Sequence, residues 1–400
     1  MLMDKQVSHE IDEGVIRTYR LQRTREQLAK HGIAAAILTD PVNIRYATGA
    51  RNMQIWTARN FVRYAFVPAE GPVVLFENGN AFHLARHLET ISEIRNATSL
   101  EFGISGNRFE EHAGQWADEI VDLFHKTCGR GGRLGIDTGS LMGILALQAH
   151  GIQPVDAKCA LDKARAIKSP EEIMAIRSAM VACTAGVAAM RDALVPGVTE
   201  RELLAVLNKE NIARGGEHQE TKLLSSGERT NPWFAEASDR AIESGDLLIF
   251  DTDLIGRHGI FADQSRSWVV DRKKPTDHQR RLYAMAREEM EYNADLICPG
   301  ATFQEVSDNS WKVPEPYVAN RYAEIVHGLG LAGEYPLVYY PQDADQWQYE
   351  GHFEENMVVC VESYVGAEGG NEGIKLEQPY LVTKDGTVPI ESYPFEEDYH

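Results

Sequence analysis

Residues 247–268 read LLIFDTDLIGRHGIFADQSRSW. The opening run Leu247-Leu248-Ile249-Phe250 has the length and composition of a buried strand. It delivers Asp251 and Asp253, two residues apart, and residues i and i+2 of a strand share one face. A turn follows at Gly256, with Gly259 just beyond, and Phe261-Ala262-Asp263 starts the return. A hairpin here brings Asp263 back beside the first pair. Three carboxylates gathered over an apolar floor repel one another unless a cation is present. Oxygen ligands of this kind suit hard or borderline divalent metals. The bland alternative is a solvated acidic hairpin, since Asp is common in turns.

Three later stretches extend the acidic set. Ala323-Glu324-Ile325-Val326-His327-Gly328-Leu329-Gly330 sets one His among glycines, which allow close backbone approach. Met357-Val358-Val359-Cys360-Val361-Glu362 is an apolar strand ending in a carboxylate, and Gly373-Ile374-Lys375-Leu376-Glu377 places another Glu at a strand-like position. Each alone means little, because a lone His is more often structural and a lone Glu more often salt-bridged. Together Asp251, Asp253, Asp263, His327, Glu362 and Glu377 supply five carboxylates and one imidazole. That set suffices for two divalent ions sharing bridging carboxylates, roughly 3.5–4 Å apart as in two-metal hydrolytic sites.

The order Asp-x-Asp, Asp, His, Glu, Glu resembles the pita-bread metallohydrolases, the group of methionine aminopeptidase, prolidase, aminopeptidase P and creatinase. Arg165-Ala-Ile-Lys-Ser-Pro-Glu-Glu-Ile173, Ser238-Asp239-Arg240, Gly245-Asp246 and Pro299-Gly300-Ala301-Thr302 sit where that family has similar residues. The resemblance covers most of the chain. It implies an N-terminal creatinase/prolidase-like α/β domain, residues 1–160, and a C-terminal α+β pita-bread catalytic domain with two metals, residues 161–400. Peptidases of the family carry two further His near the metals. Here Phe234 and Glu334 stand in their places, so the proton-handling and oxyanion-stabilising groups of a peptidase are missing.

One branch accommodates that loss. Asn231-Pro232-Trp233-Phe234, together with Tyr322, His327, Glu334-Tyr335-Pro336 and Trp347, is similar to dimethylsulfoniopropionate lyases of the DddP type. The resemblance implies that a small zwitterion binds its carboxylate to the metals, iron above all. Aromatic residues would surround its sulfonium, and β-elimination would yield dimethyl sulfide and acrylate. Manganese or zinc would also suit the ligands. A sulfonium is weakly hydrated, and aromatic faces attract such cations by roughly 0.5–2 kcal/mol each. Trp56, Trp233, Tyr322, Trp347 and Tyr349 are the candidates. In that branch an Asp six residues after the metal His takes the proton; here the position is Gly333, which leaves open space where the base would stand. Glu334 is the nearest replacement, with Asp343 and Asp345 as weaker ones in the polar stretch Gln342–Gln348. If instead a metal-activated water does the chemistry, hydrolysis of a compact amide, amidine or ester, or of an Xaa-Pro peptide, is the alternative. A binding protein that merely kept the fold is a third reading, which retention of all six ligand types disfavours.

The rest of the chain fits a two-domain enzyme. Four hundred residues and 43% hydrophobic content support large cores. A net charge of −20 and a pI of about 5.1 argue against nucleic acid and anionic membranes as partners. No apolar run is long enough for a membrane span, and MLMDKQVSHEIDEGV lacks the apolar stretch of a signal peptide. Five scattered cysteines show no zinc or disulfide spacing, which points to a reducing cytoplasm. Strands and helices alternate to about residue 155. Ser169-Pro170-Glu171-Glu172 starts a long helix, Pro196-Gly197-Val198-Thr199 caps a second, and Pro299-Gly300-Ala301-Thr302 repeats that cap. Residues 277–297 read as another helix, and residues 156–169 as a connection. The tail from Glu391 reads as an extended surface segment whose final His400 is not a ligand. Members of the family usually pair, and Asn52–Thr57 could serve a homodimer, reaching towards a site in the same or the partner subunit.

Overall fold

A computed structural model describes residues 11–397, so His400 lies outside the described residues. The chain divides into two compact units, Asp12–Arg165 and a second that runs from Ala166.

In the first unit six strands form one mixed sheet among the described residues: β1 (Ala35–Leu38), β2 (Tyr64–Pro68), β3 (Val74–Glu77), β4 (Glu93–Asn96), β5 (Leu134–Ile136) and β6 (Val155–Asp156). Their spatial order is β4-β3-β2-β1-β5-β6. β1 pairs parallel to β5 and antiparallel to β2. The apolar run of β1 is explained by burial on both faces. Ala36 and Leu38 join one core with Leu28, Ile44 and Ala47, while Ala35 and Ile37 join the other with Trp116, Ile120 and Phe124. The first core is closed by the helices Glu13–Lys30 and Pro41–Thr48, the second by Phe109–Cys128 and Leu141–Ala149. β4 has no apolar pattern, because it is a partly exposed edge strand. The stretch read as a connection is in part a helix, Lys158–Ala166, with Ala160 and Leu161 in the first core.

The second unit opens on Lys168, which is buried, and on Ser169, which caps the helix Pro170–Ala193 in a reciprocal capping box with Glu172. An 18-residue window of that helix has a mean hydropathy of 1.7, enough by length and composition to cross a membrane. Here it packs on the helix Glu200–Ala213 and buries Ala175, Ile176, Ala179, Met180, Val187 and Met190. Thr199, Thr276 and Thr302 form three more capping boxes at the expected helix starts.

The strands of this unit are β7 (His218–Gln219), β8 (Leu224–Ser226), β9 (Leu247–Asp251), β10 (Leu254–Ile255), β11 (Phe261–Ala262), β12 (Ser265–Val269), β13 (Val326–Leu329), β14 (Gly333–Val338), β15 (Val358–Gly366), β16 (Gly373–Thr383) and β17 (Gly386–Pro389). They form antiparallel sheets in the orders β11-β10-β7, β12-β9-β8 and β14-β13-β15-β16-β17. The helix Asp277–Asp295 packs on β15 and β16 through Leu282, Ala286 and Met290. The tail is pinned rather than loose. Glu391 pairs with Arg177, Glu396 with Arg191, and the Arg266 guanidinium lies 4.0 Å from the centre of the Phe395 ring.

Candidate metal centre

The hairpin forms: β10 and β11 pair Leu254 with Ala262, and β9 and β12 pair Asp251 with Ser265. It does not use strand alternation to align its first two acids, as expected from their spacing. β9 ends at Asp251, and Asp253 sits outside it with a left-handed backbone, φ +40°. That strained conformation, uncommon for a residue with a side chain, turns Asp253 back towards the others. Its amide donates to Asp263 Oδ1 at 3.1 Å, and Thr221 Oγ1 donates to its Oδ2. One oxygen from each of Asp251, Asp253 and Asp263 lies within 4.8 Å of the others.

The large sheet completes the set through its register. Glu362 of β15 faces Glu377 of β16, and His327 of β13 faces Cys360 of β15. Directly opposed residues share a face, so the sheet presents these groups together. His327 Nδ1 lies 3.0 Å from the Gly328 carbonyl. A carbonyl can only accept, so Nδ1 carries the proton of that bond, and Nε2 turns to the carboxylates. It lies 3.3 Å from Glu362 Oε1, 3.4 Å from Glu377 Oε1 and 3.8 Å from Asp263 Oδ2. An imidazole oriented by a backbone carbonyl is the usual arrangement of a metal-ligating His.

The cage is buried, with Asp251, Asp263, Glu362 and Glu377 each no more than 2% exposed. Burial, reinforced by the charge of Asp251, pushes the carboxyls of Asp253 and Asp263 well above the usual range. Burial and Glu362 push Glu377 up to about 7. Asp251 goes the other way: burial would raise it, but Lys375 beside it holds it down at about 2. Glu377 Oε1 is buried without a hydrogen-bond partner among the described residues. An acidic cage with mutual repulsion, an orphaned carboxylate oxygen and an imidazole nitrogen aimed inward fits divalent metal ions. Asp251, Asp253, Asp263, His327, Glu362 and Glu377 would hold them.

Two further members were not anticipated. Cys360 lies with Asp263, His327 and Glu377, its thiol held neutral by burial and the surrounding acids. Lys375, fully buried, donates to Ser265 Oγ at 2.9 Å and to Glu362, and lies 3.4 Å from Asp251 Oδ2. Burial disfavours its charge, but Asp251, Glu362 and Glu377 together raise its pKa well above the usual value. Both residues stand two positions before a Glu of the set, so the alternation that exposed the glutamates could have found them.

The nominated bases are placed elsewhere. Glu334 follows Gly333 on β14, and successive strand residues face opposite ways. Its buried carboxylate pairs with Lys168 at 3.0 Å instead of meeting the cage. Asp343 is taken by Arg321. Asp345 is exposed on a short helix, Pro341–Trp347, where a polar loop was expected. Trp347 on that helix is 55% exposed. Gly333 leaves room, since a Cβ there would meet Phe261 at 3.7 Å and His327 Nδ1 at 3.8 Å, ordinary contacts.

The aromatic candidates divide. Lys375 Nζ lies 4.5 Å from the Tyr322 ring centre and 5.8 Å from that of Trp233, so both rings already hold a cation. Tyr349, partly buried, stacks on Tyr335 against the core of the second unit. Phe234 is 57% exposed, has φ +75° and stacks on Tyr322 at 5.7 Å. Trp56 belongs to the N-terminal unit, on the helix Gln54–Thr57, exposed beside Met53 and Ile55.

Comparison with known proteins agrees with this geometry. The chain is 40% identical over 389 residues to a dimethylsulfoniopropionate lyase DddP from Roseovarius nubinhibens, covering 95% of this chain and 86% of that protein. It is 36% identical over 392 residues to the DddP of Roseobacter denitrificans, covering 96% and 87%. Among solved structures, the prolidase of Pyrococcus horikoshii superposes with a TM-score of 0.74 at 21% identity, covering 94% of this chain and 99% of that one. Residues 20–167 match the creatinase/prolidase N-terminal domain, and residues 174–384 match metallopeptidase family M24. With its cage carried on that second match, the chain belongs to metallopeptidase family M24, behind a creatinase-type N-terminal domain.

Proposed function

We propose that the protein is a metal-dependent lyase of the DddP kind, which cleaves dimethylsulfoniopropionate to dimethyl sulfide and acrylate. The observation that carries this reading is the 40% identity to such a lyase along nearly the whole chain. The six-residue cage supports it, as does the replacement of both peptidase histidines by Phe234 and Glu334. Two divalent ions, once bound, would anchor the substrate carboxylate and acidify the neighbouring C–H. The residues of the chain do the rest. Asp251, Asp253, Asp263, His327, Glu362 and Glu377 fix where that carboxylate lies. Phe234 and Trp347 offer open aromatic surface to the sulfonium, since Tyr322 and Trp233 already face Lys375.

The test is headspace gas analysis of metal-loaded protein incubated with dimethylsulfoniopropionate. Dimethyl sulfide should be released, and release should stop with a chelator or in Asp253→Ala. Silence at high enzyme concentration, with metals bound, overturns the assignment.

A further inference from the structure

Cys360 stands on β15 two residues before Glu362, so the two side chains share one face, while Val359 and Val361 turn to the apolar core on the other. Its neighbour across the ladder is His327 of β13, and directly opposed residues carry Cβ atoms about 4.5–5.5 Å apart. Its neighbour on the other side, Pro379 of β16, has no polar side chain to offer. The result is a compact group: the Cys360 sulfur, an imidazole nitrogen of His327 and one oxygen each from Asp263 and Glu377 all lie within 4.8 Å of one another, and all four residues are buried. A buried cysteine is ordinarily a small apolar filler. This one is set among a nitrogen and two carboxylates, and one of those carboxylates lacks a partner. Glu377 Oε1 is buried without a hydrogen bond among the described residues, 3.4 Å from His327 Nε2. A buried polar atom left in that state points to an ion that belongs beside it.

We propose that Cys360 is a direct sulfur ligand of the ion held by His327, Asp263 and Glu377, a seventh donor to the centre. This rests on the metal reading of the cage and not on the lyase reading. Two donors bonded to one ion at about 2.0–2.3 Å are at most about 4.6 Å apart, so these four atoms already stand almost close enough to share one. As the sulfur–metal bond forms, the S–H bond breaks and its proton leaves to water. The two ions then differ in character. Asp251 and Asp253, grouped with Asp263, offer oxygen alone to the second ion, which suits manganese as well as iron or zinc. Sulfur is a softer donor, so the ion beside His327 should be iron or zinc in preference to manganese.

The experiment titrates metal-free wild type, Cys360→Ser and Cys360→Ala with cobalt, whose thiolate complexes absorb strongly in the near ultraviolet where its carboxylate and imidazole complexes do not. Wild type should develop that absorption for one of its two ions per chain, and both variants should lack it. The preference for zinc over manganese should fall by about 10–100-fold in Cys360→Ser, since even groups that only support a ligand are worth that much. X-ray absorption on zinc-loaded wild type should show sulfur at about 2.3 Å from the metal, a reading that needs no variant to fold. Two cobalt ions bound without the thiolate absorption overturn the proposal, as does absorption that survives in both variants or a zinc spectrum without sulfur. In each of those cases the metal centre stands and Cys360 is a filler beside it. If wild type binds no cobalt at all, the metal centre itself fails and takes this ligand with it.

Discussion

Restoring a carboxylate at position 333 should raise lyase activity. Gly333 lies on β14 with an ordinary strand backbone, so a side chain brings no left-handed strain. A Cβ meets Phe261 and His327 Nδ1 at 3.7 and 3.8 Å, contacts that require no neighbour to move. Asp in a strand costs at most about 1 kcal/mol on propensity, and Gly333 is exposed, so the fold should survive. A positioned base is worth about 10²–10⁴-fold, or roughly 3–5 kcal/mol of barrier at 1.36 kcal/mol per decade. Gly333→Asp should therefore give a gain of at least about tenfold. The assay is initial-rate headspace gas release on wild type and Gly333→Asp, with metal content matched. If Gly333→Asp folds, binds its metals and leaves the rate unchanged, the placement of the proton transfer beside His327 is wrong.

Two other perturbations probe the interior. Lys375→Met removes a buried cation from among Asp251, Glu362 and Glu377, and breaking a buried pair from one side costs about 3–5 kcal/mol. The melting temperature should fall more in chelator-treated than in metal-loaded protein, with Lys375→Arg largely restored; an equal fall in both states would reduce Lys375 to a packing role. Burial holds the Glu289 carboxyl up at about 7, where it meets Tyr340 Oη at 2.7 Å and Ser363 Oγ at 2.6 Å. An acid raised from 4.5 in the unfolded chain stabilises the fold fully below that pH and loses the contribution as pH climbs to 7. The loss is roughly 3 kcal/mol at about 1.4 kcal/mol per unit. Urea titrations should show that decline between pH 4.5 and 7 in wild type and its absence in Glu289→Gln; parallel curves would contradict it.

Much of this was legible because the ligands sit at the ends of apolar strands. The run Leu247–Phe250, the strand before Glu362 and the helix caps at Ser169, Thr199 and Thr302 announce themselves by composition and spacing. Asp253 comes to the other two aspartates through a left-handed backbone that only tertiary context imposes, so the alternation argument brought them together by the wrong geometry. Glu334 was nominated by proximity in sequence, whereas the parity of β14 turns it away from its neighbour and towards Lys168. Helix Pro341–Trp347 carries no apolar stripe, so it read as a loop, and β4 read as nothing because an edge strand needs no apolar face.

The account depends most on the six side chains gathering around a pair of cations. Mass-spectrometric metal analysis of the folded protein, titrated with iron, manganese or zinc and then desalted, addresses that directly. Two ions per chain in wild type, falling to one or none in Glu377→Gln, is the predicted result. A chain that folds yet retains no divalent metal from any of the three would contradict it.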